Sequence, residues 1–240
     1  MIIKTKKVIP LYYFKIFKKH KITAVVSTRK GGNSKGNFAE LNVGLHVGDE
    51  NHIVLNNRRI LAKAISVSEK AFTCGQQTHS TNIKVVTQKD FGKGSNSWKD
   101  GFTETDGLIT KIVDVPLLVV TADCASIFIY DPINNAIGIA HSGKKGTESN
   151  IVGGTITQMT IKYNSRPDNL LVGIGPCIHS CCYEIDLPRL INNQLIIAGV
   201  SQENIEHSNI CTCCSNDIFY SHRAGNGHTG RFANVIMLNG

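Results

Sequence analysis

Three apolar runs, at residues 116–121, 126–130 and 136–140, constrain this chain most. They are dominated by Val, Ile, Leu, Ala and Phe and alternate little with polar residues. That pattern predicts strands covered on both faces, because a half-exposed strand alternates with period two. Such strands need further layers above and below them. Another strand is expected at 22–28, running into the Gly-rich turn Lys30-Gly31-Gly32-Asn33. Short strands are expected at 72–74 and 82–86, and a buried one at 170–174 that ends in Gly175-Pro176-Cys177. Helical patterns mark 51–65, with Ile53, Asn57, Ile60 and Ala64 on one side, and 148–163, capped by Thr147 or Ser149. A further helix is expected at 186–199. Residues 91–105 read as a surface loop, and the tail from Cys211 onward reads as polar. This interleaving argues for an α/β layered architecture. No repeat, low-complexity tract or linker divides the chain, so residues 1–240 are expected to form a single domain.

Hydrophobic residues make up 41% and charged residues 18%, which excludes a disordered, collagenous or coiled-coil chain. No apolar run reaches the ~18–20 residues of a membrane helix, so no membrane partner is expected. Lys15, Lys18 and Lys19 break the apolar positions near the N-terminus, which argues against a signal peptide. A cytoplasmic, reducing location is the expectation, and disulfides are not expected there. The net charge is +8, with Lys4, Lys6, Lys7, Lys15, Lys18, Lys19, Lys21, Arg29 and Lys30 concentrated early. No nucleic-acid-binding motif accompanies them, so they read as a solvated basic face that would also favour a phosphate-bearing small substrate.

The eight cysteines and nine histidines then need an explanation other than disulfides. His79, Cys124 and His141 stand at expected strand ends, where α/β proteins place their sites. Two His and one Cys suit Zn²⁺ or Cu²⁺ and leave a fourth position open. Their spacing is not that of a zinc finger, so they meet only if the sheets bring three strand ends together. Asp123, beside Cys124, is a candidate to orient a ligand or move a proton, or else a plain strand-end carboxylate.

Sequence context sharpens this reading. Gln76-Gln77-Thr78-His79, Thr121-Ala122-Asp123-Cys124 and Ala140-His141-Ser142-Gly143-Lys144-Lys145-Gly146 resemble three metal-binding motifs of the YfiH/YlmD family. That family is also called multicopper polyphenol oxidoreductase or purine nucleoside phosphorylase. The resemblance extends to Ser27-Thr28-Arg29-Lys30-Gly31-Gly32, the segment 41–49, Asn57-Arg58-Arg59 and Thr105-Asp106-Gly107-Leu108. It continues through the segment 173–178, Ser180-Cys181-Cys182-Tyr183-Glu184 and Thr229-Gly230-Arg231. It implies an α/β/β/α sandwich with mixed sheets, as in the cytotoxic necrotizing factor catalytic domain. It implies a zinc-dependent enzyme that cleaves adenosine, inosine and methylthioadenosine with phosphate to base plus ribose-1-phosphate, and that deaminates adenosine. Purine nucleosides and phosphate are the implied partners. His79, Cys124 and His141 become the implied zinc ligands, with Cu²⁺ able to enter the same site.

Asp123, Cys124 and His141 are then the catalytic candidates, and Arg29, Asn42, His46, Arg59 and Lys145 the substrate-binding ones. Arg29 and Arg59 suit an anion. A helix-surface salt bridge competes for Arg59, and ordinary loop hydrogen bonding competes for Asn42 and His46. The chain departs from the family where Lys144 and Lys145 replace the usual Trp and Arg and Ser142 replaces Ala. Lysine offers a point charge rather than a bidentate fork. Three other functions remain open at this point. A copper-dependent phenol oxidase is disfavoured because no His-x-His pair occurs. A thiol hydrolase would use Cys124 as nucleophile and His141 as base. A non-catalytic metal- or partner-binding protein is the last. Among the remaining cysteines, Cys177 and Cys182 are expected to pack as small buried residues. Adjacent residues of an extended chain point to opposite faces, so Cys181 and Cys182 are not expected to share a metal. A second structural metal site at Cys211, Cys213 and Cys214 is the alternative. His222 and His228 border the pocket or lie on the surface.

Overall fold

The structure, a computed structural model, describes residues 1–6 and 9–240, with side chains described for Met1 and from Ile9 onward. Lys7 and the side chains of Lys4 and Lys6, part of the basic cluster, lie outside the described residues. The strands in chain order are β1 (Ile2–Lys6), β2 (Ile9–Tyr13), β3 (Ile22–Ser27), β4 (Thr73–Cys74), β5 (Ile83–Val85) and β6 (Gly107–Thr110). They continue as β7 (Leu117–Thr121), β8 (Ala125–Asp131), β9 (Ala136–Ser142), β10 (Leu171–Ile174), β11 (Ile205–His207) and β12 (Phe232–Leu238). The α-helices are α1 (Asn51–Ala64), α2 (Lys144–Glu148), α3 (Ile151–Tyr163) and α4 (Leu187–Ile197).

Two six-stranded mixed sheets form, in the orders β1-β2-β3-β12-β7-β4 and β11-β10-β8-β9-β6-β5. Pairing is mainly antiparallel, with parallel pairs β4–β7, β5–β6 and β10–β11. Phe128, Tyr130, Ile137 and Ile139 from one sheet meet Val26, Leu117, Val119, Phe232 and Ile236 from the other. The outer face of the first sheet packs Val25, Leu118, Val120 and Val235 against Leu61 and Ala62 of α1. The outer face of the second packs Ile127, Ile129 and Val172 against Ile156 and Met159 of α3 and Ile191 and Leu195 of α4. The result is an α/β/β/α sandwich, as expected. Burial of each large apolar side chain contributes about 1.5–3 kcal/mol, so these three apolar interfaces carry most of the stability.

The three apolar runs are strands buried along their whole length. The tail is where expectation and structure differ. Residues 232–238 form β12, which pairs with both β3 and β7 at the centre of the first sheet. Asn234 breaks its apolar pattern yet is fully buried. It accepts from Ser126 Oγ at 2.7 Å and donates to Thr121 Oγ1 at 2.9 Å, which offsets the cost of burying its amide. The helix expected at 148–163 is α3, which starts later, at Ile151, and the short α2 precedes it. Asn150 stands in the left-handed region (φ 56°) and caps α3 by accepting from Gly153 N, so the chain turns there. Strands β1, β2, β6 and β11 also lay outside the sequence-based expectation. Lys15, Lys18 and Lys19 are exposed while Phe14 and Phe17 are buried, which fits a solvated basic face. Among the described residues no helix is long and apolar enough to cross a membrane.

This topology places the site. The chain leaves β7 in one sheet and enters β8 in the other through Ala122-Asp123-Cys124. The edge strand β4 runs parallel to β7 and leads into the loop carrying His79. The end of β9 sets His141 opposite Ser126 on β8. Three strand ends therefore converge at one end of the sandwich.

Candidate metal centre and pocket

One ligand atom from each of His79, Cys124 and His141 lies within 4.8 Å of the other two. Cys124 Sγ is 3.7 Å from His79 Nε2, and the two imidazole rings are 4.9 Å apart, edge to face. Asp106 holds this cluster together, and sequence reading had not placed it in the site. Its carboxylate is buried and contacts His141 Nδ1 at 2.7 Å. It also accepts the backbone N–H groups of Thr78, His79 and Ser80 at 3.1, 3.1 and 2.8 Å. One carboxylate thus orients the His141 ring, leaving Nε2 for the site, and shapes the His79 loop. The clue was its place in Thr105-Asp106-Gly107-Leu108, just before β6. His79 itself stands at φ 63°, so the three amide bonds hold a backbone conformation that a non-glycine residue rarely adopts.

The donor set fits a zinc-type ion. The sulfur and both nitrogens converge, and Gly143 leaves room for them. A Cβ at Gly143 would lie 2.6 Å from Cys124 Sγ and 2.9 Å from His79 Cδ2. Electrostatics favour the ligating thiolate of Cys124, whereas His141 is protonated in the metal-free chain and would give up a ring proton to bind an ion. Burial pushes the Cys124 thiol up, but the charge and hydrogen bond of His141, aided by His79, outweigh it and bring it down to about 6. Burial pushes His141 down, but the Cys124 thiolate and the Asp106 carboxylate outweigh it and raise it to about 9. The metal-free chain therefore holds a thiolate–imidazolium pair at neutral pH. Alkylation of Cys124 in metal-free protein, followed by peptide mass spectrometry, should show a midpoint near pH 6 rather than the ~8.5 of an ordinary thiol. A midpoint near 8.5 would mean that His141 does not stabilise the thiolate.

The three residues open into a cavity of about 380 Å³, a size typical of small-molecule sites. Its other walls include His46, Tyr183, Lys144, Arg223 and Arg231. Burial first, then the nearby Arg231 charge, lowers His46 to about 4, so its ring is neutral at pH 7. Glu184 pairs with Lys144 and with Arg223, each at 3.4 Å, and Arg223 lies over the Tyr183 ring at 5.1 Å. The substrate side of the pocket thus carries two arginines, a lysine and an aromatic face.

Of the sequence-based substrate candidates, only His46 lines this cavity. Arg29 is turned away: it bonds the carbonyls of Ala39 and Asn216 and stacks on Tyr220. Arg59 is a surface residue paired with Glu69 at 3.5 Å. Asn42 is fully buried, accepting from Gly44 N and Arg231 N and donating to Asp49. Lys145 is exposed one residue beyond Lys144, and Lys144 faces the cavity instead, because the first turn of α2 directs the two side chains differently. Asp123 lines the cavity, but Thr212 Oγ1 donates to Oδ1 at 2.6 Å and Arg223 N to Oδ2 at 2.7 Å. These two bonds tie the loops of Thr212 and Arg223 to the cavity wall. His222 borders the cavity, whereas His228 lies with Arg29 in a separate surface cleft.

The cysteines also differ from expectation. Cys177 is buried, as expected, and Cys213 is partly buried against the helical layer. Cys181 and Cys182 both approach Cys214 Sγ at 3.4 Å, because residues 180–182 form a turn rather than an extended segment.

Comparison with known proteins agrees with this architecture. The family model described as multi-copper polyphenol oxidoreductase laccase matches residues 23–186 and 183–239. The purine nucleoside phosphorylase YlmD of Geobacillus stearothermophilus is 34% identical over 244 residues, covering 89% of each chain. The Bacillus subtilis protein of the same name is 32% identical, covering 90% of this chain and 88% of the relative. The crystal structure of YlmD from Geobacillus stearothermophilus superposes with a TM-score of 0.95 at 31% identity, covering 100% of this chain and 99% of that one. The YfiH structure from Bacillus licheniformis gives 0.92 at 30% identity and 98% coverage of both chains. With the fold, the matched length and these relatives in agreement, the chain belongs to the multi-copper polyphenol oxidoreductase laccase family, which includes YlmD and YfiH.

Proposed function

We propose that this protein is a zinc-dependent purine nucleoside phosphorylase whose centre is His79, Cys124 and His141. The observation that carries the reading is the opening of this donor cluster into a cavity lined by Tyr183, Lys144, Arg223 and Arg231. The relatives' name, purine nucleoside phosphorylase, supports the same chemistry. In phosphorolysis the bond from C1′ of the ribose to the base breaks as a phosphate oxygen bonds to C1′. The electron pair leaves with the base, which gains a proton. Arg231 and Arg223 suit the phosphate, because guanidinium groups bind such anions through two parallel hydrogen bonds. Lys144 adds a mobile charge at the mouth. Tyr183 offers a face for the purine, and neutral His46 offers hydrogen bonds to it. Asp106 keeps His141 in the tautomer that faces the site. Zinc, when bound by the three ligands, supplies a Lewis acid able to stabilise developing negative charge. Adenosine, inosine and methylthioadenosine are the proposed substrates, with deamination of adenosine at the same centre and a cytoplasmic setting.

The test is incubation of zinc-loaded protein with each nucleoside, with and without phosphate. Free base should form only with phosphate, and ammonia should form from adenosine. No base release from any of the three would overturn the reading.

One specific observation favours a second reading. Asp106 contacts the His141 ring, and His141 and Cys124 share one cluster, an order of groups that in metal-free protein resembles the triad of a thiol hydrolase. That reading requires turnover that survives chelation and is abolished by alkylation of Cys124. A multicopper oxidase is poorly supported. Among the described residues, the two His/Cys clusters contain two histidines in all.

A further inference from the structure

Outside the pocket the structure brings together four more sulfurs. Cys181, Cys182, Cys211 and Cys214 place their Sγ atoms within 4.8 Å of one another. A tetrahedral ion with Zn–S bonds near 2.3 Å sets its sulfurs about 3.8 Å apart, so this spacing is that of a single ion. The four residues come from two turns. Residues 180–182 form one, closed by the bond from Cys182 N to His179 O at 3.0 Å. Residues 211–215 form the other, closed by Ser215 N to Cys211 O at 3.0 Å. Cys211-x-x-Cys214 is a spacing that structural zinc sites use. The two turns are aligned by a parallel bridge between Cys177 and Cys211.

Core packing does not explain the group, because Cys181 and Cys214 are exposed. Two exposed free thiols beside two more would be open to oxidation, whereas four thiolates on one ion form a closed site.

We propose that Cys181, Cys182, Cys211 and Cys214 bind a second, structural zinc ion that clamps together two loops of the pocket wall. The first loop carries Ile178, Tyr183 and Glu184. The second carries Thr212, which bonds Asp123, and leads to Arg223. An ion with four sulfur ligands has no open position, so it holds structure and takes no substrate. The loops it joins present the aromatic face and one arginine of the pocket.

The test is metal analysis of protein purified under reducing conditions with zinc present. Wild-type protein should hold about two zinc ions per chain, and the Cys124→Ala and Cys182→Ser/Cys214→Ser variants about one each. The double variant should keep the zinc at Cys124 and raise KM for nucleoside at least fivefold more than it lowers kcat. Should the double variant fail to fold, cobalt substitution of Cys124→Ala protein answers instead, since its remaining cobalt should show the intense thiolate charge-transfer bands of a sulfur-only tetrahedral site. Cys124→Ala protein without metal, whether its four thiols titrate free or as a disulfide, would overturn the proposal. The zinc content and the cobalt spectrum do not depend on the reaction catalysed at Cys124, so the two readings fail separately.

Discussion

Adding one methyl group at Gly143 should weaken zinc binding and phosphorolysis by about 10²-fold while leaving the fold in place. Alanine tolerates the backbone there, since Gly143 has φ −86° and ψ −172°. The effect is confined to space. The new Cβ would sit 2.6 Å from Cys124 Sγ and 2.9 Å from His79 Cδ2, well inside contact distance. Neither neighbour can yield without leaving the cluster. His79 is held by the amide bonds that Asp106 makes to residues 78–80, and Cys124 sits in the short crossing between β7 and β8. One ligand must therefore shift by more than the ~0.5 Å that a functional constellation tolerates. Calorimetric zinc titration and the melting temperature of the metal-free variant check both halves of the expectation. Unchanged zinc affinity would show that the ligands are not packed against this residue.

Cys124→Ala should have the larger effect, a loss of at least ~10³-fold in kcat/KM, because two imidazoles alone hold zinc poorly and Lewis-acid stabilisation is worth several kcal/mol. The substitution also removes the anion that keeps His141 protonated in the metal-free chain, so the His141 value should fall from about 9. A thiol hydrolase would lose activity as well. Cys124→Asp separates the two, since a carboxylate of similar reach still binds zinc but cannot replace a thiolate nucleophile. Measurable phosphorolysis by Cys124→Asp, with none by Cys124→Ala, is the expected pattern. Equal inactivity of both variants, with zinc retained by Cys124→Asp, would favour the thiol.

The three ligand residues were legible in sequence because each ends or follows a strand and sits in a distinctive motif. The strands β7, β8 and β9 were legible because full burial leaves no alternation to obscure them. Other parts followed from tertiary context that no local pattern reports. Asn234 interrupts the apolar run of β12, and only its partners Ser126 and Thr121 make its burial tolerable. Arg29, Arg59, Arg223 and Arg231 look alike as charges. Which of them faces the cavity depends on how loops after β3 and before β12 pack, and the structure selects Arg223 and Arg231. Asp106 acts through contacts to residues 78–80 and 141, far from it in sequence. The cysteine pair at 181–182 defeats the extended-chain rule because the chain turns there.

The central claim is that His79, Cys124 and His141 form the zinc centre at which phosphorolysis occurs. Titrating zinc into metal-free wild-type protein, while following phosphate-dependent release of hypoxanthine from inosine, tests it most directly. Base release should be absent without metal, rise with zinc occupancy at Cys124, and stay absent from Cys124→Ala protein carrying zinc only at its other cysteines. Full turnover by metal-free protein, or recovery of turnover by zinc-treated Cys124→Ala protein, would contradict it.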